Sequence, residues 1–201
     1  MKKIAILAIL AIACTTLFSA CGKKTDTKEV PEEAVAAMSV DDVLANAGQL
    51  LGDTITIEGV CSHLCSHGAM KAFIAGTADS IMLRCEAKPF IGQAFPLEMT
   101  RHAVQVKGIL AEERVDSAVI EQMIAQNEAL QAQAAATGDT VKDHVSGCET
   151  ERVSRGQKDA VTFEGRIADY RKKIANRKEK EGKDYLSYYY LQAISYEILP
   201  E

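Results

Sequence analysis

The chain contains no tryptophan, and only 5% of its 201 residues are aromatic. It carries 23 lysines and arginines against 28 aspartates and glutamates, which gives a formal net charge of −5. This acidic balance provides no electrostatic basis for binding the phosphate backbone of a nucleic acid. Beyond the first 20 residues, no stretch approaches the roughly 18 apolar residues that a membrane-spanning helix needs. The sequence therefore argues against a nucleic-acid partner and against a second membrane segment.

The common catalytic motifs are missing as well. The chain has no nucleophile elbow, no phosphate-binding loop and no HExxH sequence. It has no Cys-x-x-Cys pair of the thioredoxin type and no Cys-x-x-Cys-His for covalent haem attachment. We interpret the acidic pairs at 41–42 and 112–113 as solvated charges at the ends of helices or strands. The sequence thus gives little support to an enzyme.

An export signal opens the chain. Two lysines precede an apolar segment, residues 4–17, and a Ser-Ala pair leads directly into Cys21. A cysteine in this position resembles a lipobox, so we expect cleavage before Cys21 and lipid on its thiol. Residues 1–20 are then a lipoprotein signal peptide, and the polar residues 21–37 are a flexible tether. The alternative is an uncleaved membrane anchor.

The rest of the chain predicts one mainly β domain with an α insertion. Residues 39–51 predict a helix that Ser39 caps and that buries one face, made of Val43, Leu44, Ala47, Leu50 and Leu51. Alternating or β-branched segments predict five strands at 54–64, 70–76, 81–88, 102–115 and 184–199. Five strands with a connector between the third and fourth match a five-stranded OB-type Greek-key barrel, formed by 38–116 plus 184–199. The alternative is an open sheet beside a separate helical domain.

Residues 117–183, between strands 4 and 5, predict an inserted helical hairpin. Asp116 or Ser117 caps the first helix, whose inward face is expected to hold Val119, Ile120, Met123, Ile124 and Leu130. A second helix is expected from about Thr150, with Val153, Ala160, Phe163, Ile167, Tyr170 and Ile174 at helical spacing. Two uses remain open: a hairpin packed on itself, or an arm that docks a protein partner or forms a dimer seam.

The stretch CSHLCSHG carries the strongest chemical signal. It places Cys61, His63, Cys65 and His67 at every second position, so an unbroken strand would project all four to one face. They share the parity of the inward-facing isoleucines, and a bulge at Gly59 would reverse it. At about 3.3 Å per residue, the first and last of the four stand roughly 20 Å apart, too far to share one ion.

A turn at Gly68 would bring the last two of these side chains, Cys65 and His67, together. Further ligands, or disulfide partners, would come from His63, Cys85, His144 or Cys148. Three interpretations stay open: a site for a transition metal or haem, structural disulfides in an oxidising compartment, and ordinary packing.

The segments 40–76, 104–116 and 183–197 resemble a family of OB-fold lipoproteins of Gram-negative bacteria. The likeness includes the stretch around His63, Cys65 and His67 but need not extend to Cys61. It implies an OB barrel anchored in the Gram-negative cell envelope, on the periplasmic side or at the cell surface. The family has no established activity to carry over. A fainter likeness, at the level of fold alone, is to the periplasmic haem chaperone of cytochrome c maturation.

The sequence as a whole predicts a lipid-anchored binding protein of the cell envelope. Its expected ligand is a transition metal (zinc, copper or iron) or a metal cofactor such as haem, held by His63, Cys65, His67 and Cys61. The alternative is a non-catalytic scaffold lipoprotein that docks a protein partner through the barrel or the hairpin.

Overall fold

Five strands close into a mixed barrel in the computed structural model of the chain, which describes residues 36–78, 80–138 and 148–200. The barrel strands are β2 (Thr54–Leu64), β3 (Lys71–Ala75), β4 (Met82–Glu86), β5 (Ala103–Val115) and β6 (Leu186–Ile198), and a two-residue strand, β1 (Met38–Ser39), adds to β2. The helices are α1 (Val40–Ala45), α2 (Ala47–Leu50), a 3-10 turn (Leu97–Met99), α3 (Ser117–Thr137), α4 (Glu149–Ser154) and α5 (Phe163–Glu181). The predicted leader, Cys21 and most of the predicted tether lie outside the described residues.

Closure follows from β2, which pairs with two barrel strands. Its first half runs antiparallel to β5, from Thr54 opposite Ile109 to Val60 opposite Ala103. Its second half runs antiparallel to β3. The order around the barrel is β2-β3-β4-β6-β5, and only the β4–β6 pair within it is parallel. The open-sheet alternative is therefore wrong.

Side chains fill the interior of the barrel. The alternation predicted for the first strand is confirmed, since Ile55 and Ile57 are buried in the core. Phe95 and Met99, from the connector between β4 and β5, are buried in the same core. Small barrels are normally filled in this way, which leaves the interior no room for a ligand.

The helix before the barrel begins as predicted but is shorter. The Ser39 hydroxyl accepts a hydrogen bond from the Asp42 amide at 3.1 Å, which confirms it as the cap. The helical segment is divided at Asn46 into α1 and α2. Leu51, expected on the buried face, is 42% exposed because α2 ends before it.

Among the described residues, α3, α4 and α5 lie between β5 and β6. The Asp116 carboxylate caps α3, and Gly182 ends α5 in the left-handed conformation, with φ of 70°. The second predicted helix is instead two helices, because the chain turns at Gly156 (φ of 64°) and α5 starts anew after its own cap, Thr162. Leu130, predicted to face inward on α3, is 41% exposed.

The helices pack on the outside of the barrel through a second, smaller apolar cluster. Val115 at the end of β5 contacts buried residues of α3 and α5: Ile120, Ile167, Tyr170 and Ile174. Half-buried Tyr188 of β6 adds to it. The spacing at 167, 170 and 174 places one face of α5 against this cluster, as the sequence predicts.

Candidate functional site

Cys61 lies inside the barrel, away from the other predicted ligands. Its thiol is fully buried and contacts the His63 carbonyl oxygen at 3.7 Å. Burial raises its pKa to about 11. Cys85 of β4 is also fully buried in this core, and burial, with a further contribution from Cys61, raises its pKa. Both thiols occupy the space of small hydrophobic side chains.

These two interior thiols are not placed to form a disulfide. β3 lies between their strands, and its Ile74 is opposite Cys61 while its Ala72 is opposite Cys85. Two strand spacings amount to about 9 to 10 Å, and the two-residue offset adds to this. The limit for the Cα atoms of a disulfide is about 7 Å.

A bulge in β2 separates Cys61 from His63. The register with β3 shifts between them, so the side chains beyond the shift point to the opposite face from the one that strict alternation would give. The predicted site of a bulge, Gly59, is instead regularly paired with Val104. As a result the four alternate side chains do not share one face: Cys61 points inward and His63 points outward.

His63 packs on the outer surface of the barrel. Its ring lies 6.0 Å from the ring of Phe73, the residue opposite it on β3. Its Nε2 atom is buried and accepts or donates no hydrogen bond within the described residues. The aromatic contact holds the imidazole against β3.

Cys65 and His67 meet in the turn that follows β2. The Ala69 amide donates to the Cys65 carbonyl at 2.9 Å, and Gly68 takes a φ of 89° in this turn. The Cys65 sulfur lies 3.8 Å from Nδ1 of His67. Cys65 is 9% exposed, whereas His67 is open to solvent. The prediction that a turn near Gly68 gathers these two side chains is confirmed.

Cys148 approaches the same thiol from the helical side. It precedes α4, and its carbonyl accepts from the Arg152 amide at 3.1 Å. The pKa of its thiol is raised, chiefly by burial, and the neighbouring Cys65 thiol raises it further. The backbone agrees with this contact: the Cys65 amide donates to the Lys71 carbonyl at 2.9 Å, and Lys71 Nζ lies 3.2 Å from Glu151, one turn along α4.

We refer to Cys65, His67 and Cys148 as the thiol–imidazole cluster. It unites two residues of the predicted site with one of the predicted additional ligands. Over residues 36–78, 80–138 and 148–200, no three His, Cys, Asp or Glu side chains stand close enough, as placed, to hold a metal ion. His144, another predicted ligand, lies outside the described residues. The cluster is thus a pair of neighbouring thiols beside an imidazole rather than a formed metal cage.

An ion-pair network fixes α4 to the barrel next to this cluster. The Glu151 carboxylate receives Lys71 at 3.2 Å, Arg84 at 2.9 Å and Arg155 at 3.1 Å. Glu113 of β5 receives the same two arginines, at 2.7 and 2.8 Å. Charge-assisted hydrogen bonds of this length are stronger than neutral ones. The network therefore ties α4 to three barrel strands.

The charged groups of the network lower the pKa values of its two carboxylates. Burial by itself raises the pKa of Glu113, but Arg155 and Arg84 outweigh it and lower the pKa to about 2. The pKa of Glu151 is lowered in the same way, against its burial, by Lys71, Arg155 and Arg84. Both carboxylates are therefore ionised near neutral pH and act as structural anions.

Sequence reasoning missed this network. Glu113 was expected to be a solvated charge, and its role depends on arginines that reach it from β4 and from the end of α4. The tyrosine-rich run of β6 also takes part, with Arg84 over the Tyr190 ring at 4.8 Å and Arg155 over the Tyr188 ring at 4.7 Å. No local signal in the sequence marks such long-range pairs.

Clefts lie beside the network and between the helices. One of about 290 Å³ is lined by network residues together with Met123, Arg166 and Tyr170. Another of about 390 Å³ lies between α3 and α5 and includes Ile124, Phe163 and Ile167. Their openings face the outside of the barrel, where the thiol–imidazole cluster also lies.

No family model, curated protein or solved structure gives a significant match to this chain. Among the helices that the structure describes, none has the length and apolar character needed to cross a bilayer.

Proposed function

We propose that this protein is a lipid-anchored binding protein of the bacterial cell envelope that holds a thiophilic metal ion in the thiol–imidazole cluster. The observation that carries the proposal is the position of the Cys65 thiol, which lies 3.8 Å from His67 Nδ1 and is a neighbour of the Cys148 thiol. Thiolate and imidazole are ligands for soft and borderline transition metals. Small rotations of these side chains would bring the two sulfur atoms and the imidazole nitrogen to positions from which they could bind one ion.

The donor set favours copper(I) over the other metals considered. Structural zinc is almost always bound by four ligands in a tetrahedron, and the cluster offers two sulfurs and one nitrogen. Copper(I) is soft and accepts a low coordination number, so two thiolates with or without an imidazole suffice. Iron and haem find less support, because no further described donor joins the three. Cys61, one of the predicted ligands, has no part in the proposal since it faces the barrel interior.

An OB-type barrel is part of the same proposal. The closed order β2-β3-β4-β6-β5, with one parallel pair between β4 and β6, supports it. The leader and Cys21 support the lipid anchor from the sequence alone. On this proposal the cluster sits on the outer surface of the barrel, accessible to a metal donor in the envelope.

Metal binding is tested on the full-length chain, reduced and kept under nitrogen in detergent. Copper(I) is titrated in competition with a coloured copper(I) chelator, and we expect one tightly held ion per chain. Cys65→Ser and Cys148→Ser should each weaken binding by more than the roughly 10- to 100-fold that loss of an outer-shell partner costs. Loss of His67 should weaken it less. Cys61→Ala is the matched control, because it removes a thiol from the barrel interior.

Two results would contradict this function. One is failure of the reduced chain to compete with the chelator. The other is equal weakening by Cys61→Ala and Cys65→Ser, which would mean that copper binds exposed or unfolded thiols without a site. Affinity should also rise with pH, because the Cys148 pKa is raised and metal must displace its proton.

A protein-docking scaffold is the second candidate function. The cleft of about 390 Å³ between α3 and α5 favours it, since apolar side chains including Ile124 and Phe163 line the opening. Partner capture would then survive Cys65→Ser and His67→Ala, and an Ile124→Asp variant would abolish it. Metal loading would show the opposite pattern.

A further inference from the structure

The two sulfurs of the thiol–imidazole cluster come from distant parts of the chain. Cys65 directly follows β2, and Cys148 directly precedes α4. The neighbouring contact between Lys71 and Glu151 spans 80 residues of sequence, and the thiol contact bridges a similar interval. A bond between the two sulfurs would therefore join the barrel covalently to the helical segment.

The fold disfavours the other pairings of the four cysteines that the structure describes, Cys61, Cys65, Cys85 and Cys148. Cys61 points into the barrel while Cys65 lies on its outer side, beyond the bulge. Cys85 is buried in the interior, with β3 between its strand and β2. Neither interior thiol reaches Cys148, which sits outside the barrel at the start of α4. Of the six bonds that could join two of these four thiols, only a bond between Cys65 and Cys148 agrees with these positions.

We propose that Cys65 and Cys148 form an intramolecular disulfide when the chain meets a disulfide oxidant, and that this bond fastens α4 to the end of β2. The thiolate of one of the two cysteines attacks one sulfur of the oxidant, whose S–S bond breaks and releases one thiol. The thiolate of the other cysteine then attacks the protein sulfur of this mixed disulfide, which forms the new S–S bond and releases the second thiol. The chain loses two electrons and two protons, and the oxidant gains them.

The disulfide also makes metal binding conditional, a consequence that rests on the proposed function. Both sulfurs are consumed by the bond, so an oxidised chain has no thiolate to offer copper(I). Reduction by a dithiol would restore both sulfurs. The same cysteine pair would then exist either as a covalent clasp or as a metal site, according to the redox poise of its compartment.

The experiment uses the full-length chain, reduced and then incubated with oxidised glutathione. Peptide mapping by mass spectrometry should find the Cys65 peptide linked to the Cys148 peptide, with Cys61 and Cys85 still alkylatable after unfolding. Relative to the reduced chain, the melting temperature should rise by roughly 5–15 °C, as expected for a bond that closes a long loop. Cys61→Ala is the matched control and should form the same bond.

Several outcomes separate this inference from the metal site. A bond that joins other cysteines, a bond between chains, or a glutathione adduct that persists on Cys65 or Cys148 would overturn it. Copper(I) loading of the reduced chain is measured separately: loading without a disulfide overturns this inference alone, and a disulfide without loading overturns the metal function alone. If the oxidised chain bound as much copper(I) as the reduced chain, the inference that the disulfide and bound copper(I) exclude each other would be wrong.

Discussion

Replacing Glu151 with glutamine removes the charge on which the cations of the ion-pair network converge. The carboxylate side chain is 10% exposed and lies within 3.2 Å of Lys71, Arg84 and Arg155. Glutamine has nearly the same shape and helix propensity, so the substitution isolates the charge. The NH₂ group of the glutamine would face the guanidinium groups, which are donors only and offer its N–H bonds no acceptor.

The size of the effect follows from what each cation retains. Breaking a buried ion pair by removing one partner costs about 3 to 5 kcal/mol. Arg84 keeps Glu113 and Glu86, and Lys71 is 34% exposed and can be hydrated. We therefore expect the low end, about 3 kcal/mol of unfolding free energy. For a chain of this size that corresponds to a fall of roughly 6–12 °C in melting temperature.

Urea unfolding, followed by far-ultraviolet circular dichroism at pH 7, measures this difference. Glu121→Gln is the matched control, because its partner Arg171 and Glu121 itself are 58% and 66% exposed. Such an exposed pair contributes less than about 1 kcal/mol. If the unfolding free energy of Glu151→Gln lies within about 1 kcal/mol of that of the control, the network does not anchor α4.

Three further predictions follow from the geometry. The pKa of Glu113, lowered to about 2 in the folded chain, means that its stabilisation is complete above the unfolded value and is lost as pH falls toward 2. Because this side chain is 36% exposed, we expect the unfolding free energy to fall by only about 1 kcal/mol. Urea unfolding at a series of acidic pH values should show this fall, and the Glu113→Gln variant should lack it. Burial raises the pKa of Cys61 and of Cys85, so N-ethylmaleimide should modify neither before global unfolding; rapid labelling would contradict their placement. Gly108→Ala should cost roughly 1 to 3 kcal/mol, because its Cβ would stand 2.5 Å from a carbonyl oxygen of β6, whereas Gly48→Ala, with open space around it, should not destabilise.

The strands could be predicted from local sequence because their patterns are local. Ile55 and Ile57 alternate with polar residues, and the tyrosine- and isoleucine-rich segment of β6 has high β propensity. Each predicted strand overlaps an observed one, with ends that differ by a few residues. Closure was predicted from strand number and connector position. The pairing of β2 with β5 that produces it is a long-range contact with no local signature.

The site could be predicted only in part, because a bulge is set by pairing between strands. Nothing in CSHLCSHG marks the register shift against β3 that turns Cys61 inward and His63 outward. Gly59 was a reasonable place to expect irregularity, yet its pairing with β5 is regular. The turn at Gly68 was predictable because its φ of 89° suits glycine. Cys148 could be named as a candidate from its residue type, but its position depends on how α4 docks.

The barrel interior is filled by side chains, which explains why the thiol–imidazole cluster lies on the outer surface. Phe95, Met99 and the inward side chains of five strands fill that interior, so a ligand has to bind on the outer surface. On that surface, a metal site with two thiolates needs a scaffold that fixes both sulfur atoms. Cys65 directly follows β2, and the cysteine within β2, Cys61, faces the interior, so the second sulfur has to come from another element. The network at Glu151 provides the fixation, because it orders α4 one turn away from Cys148. The anchor of α4 and the proposed thiol chemistry therefore belong to one junction, and a chain without residues 148–154 would keep the barrel strands while losing the second sulfur.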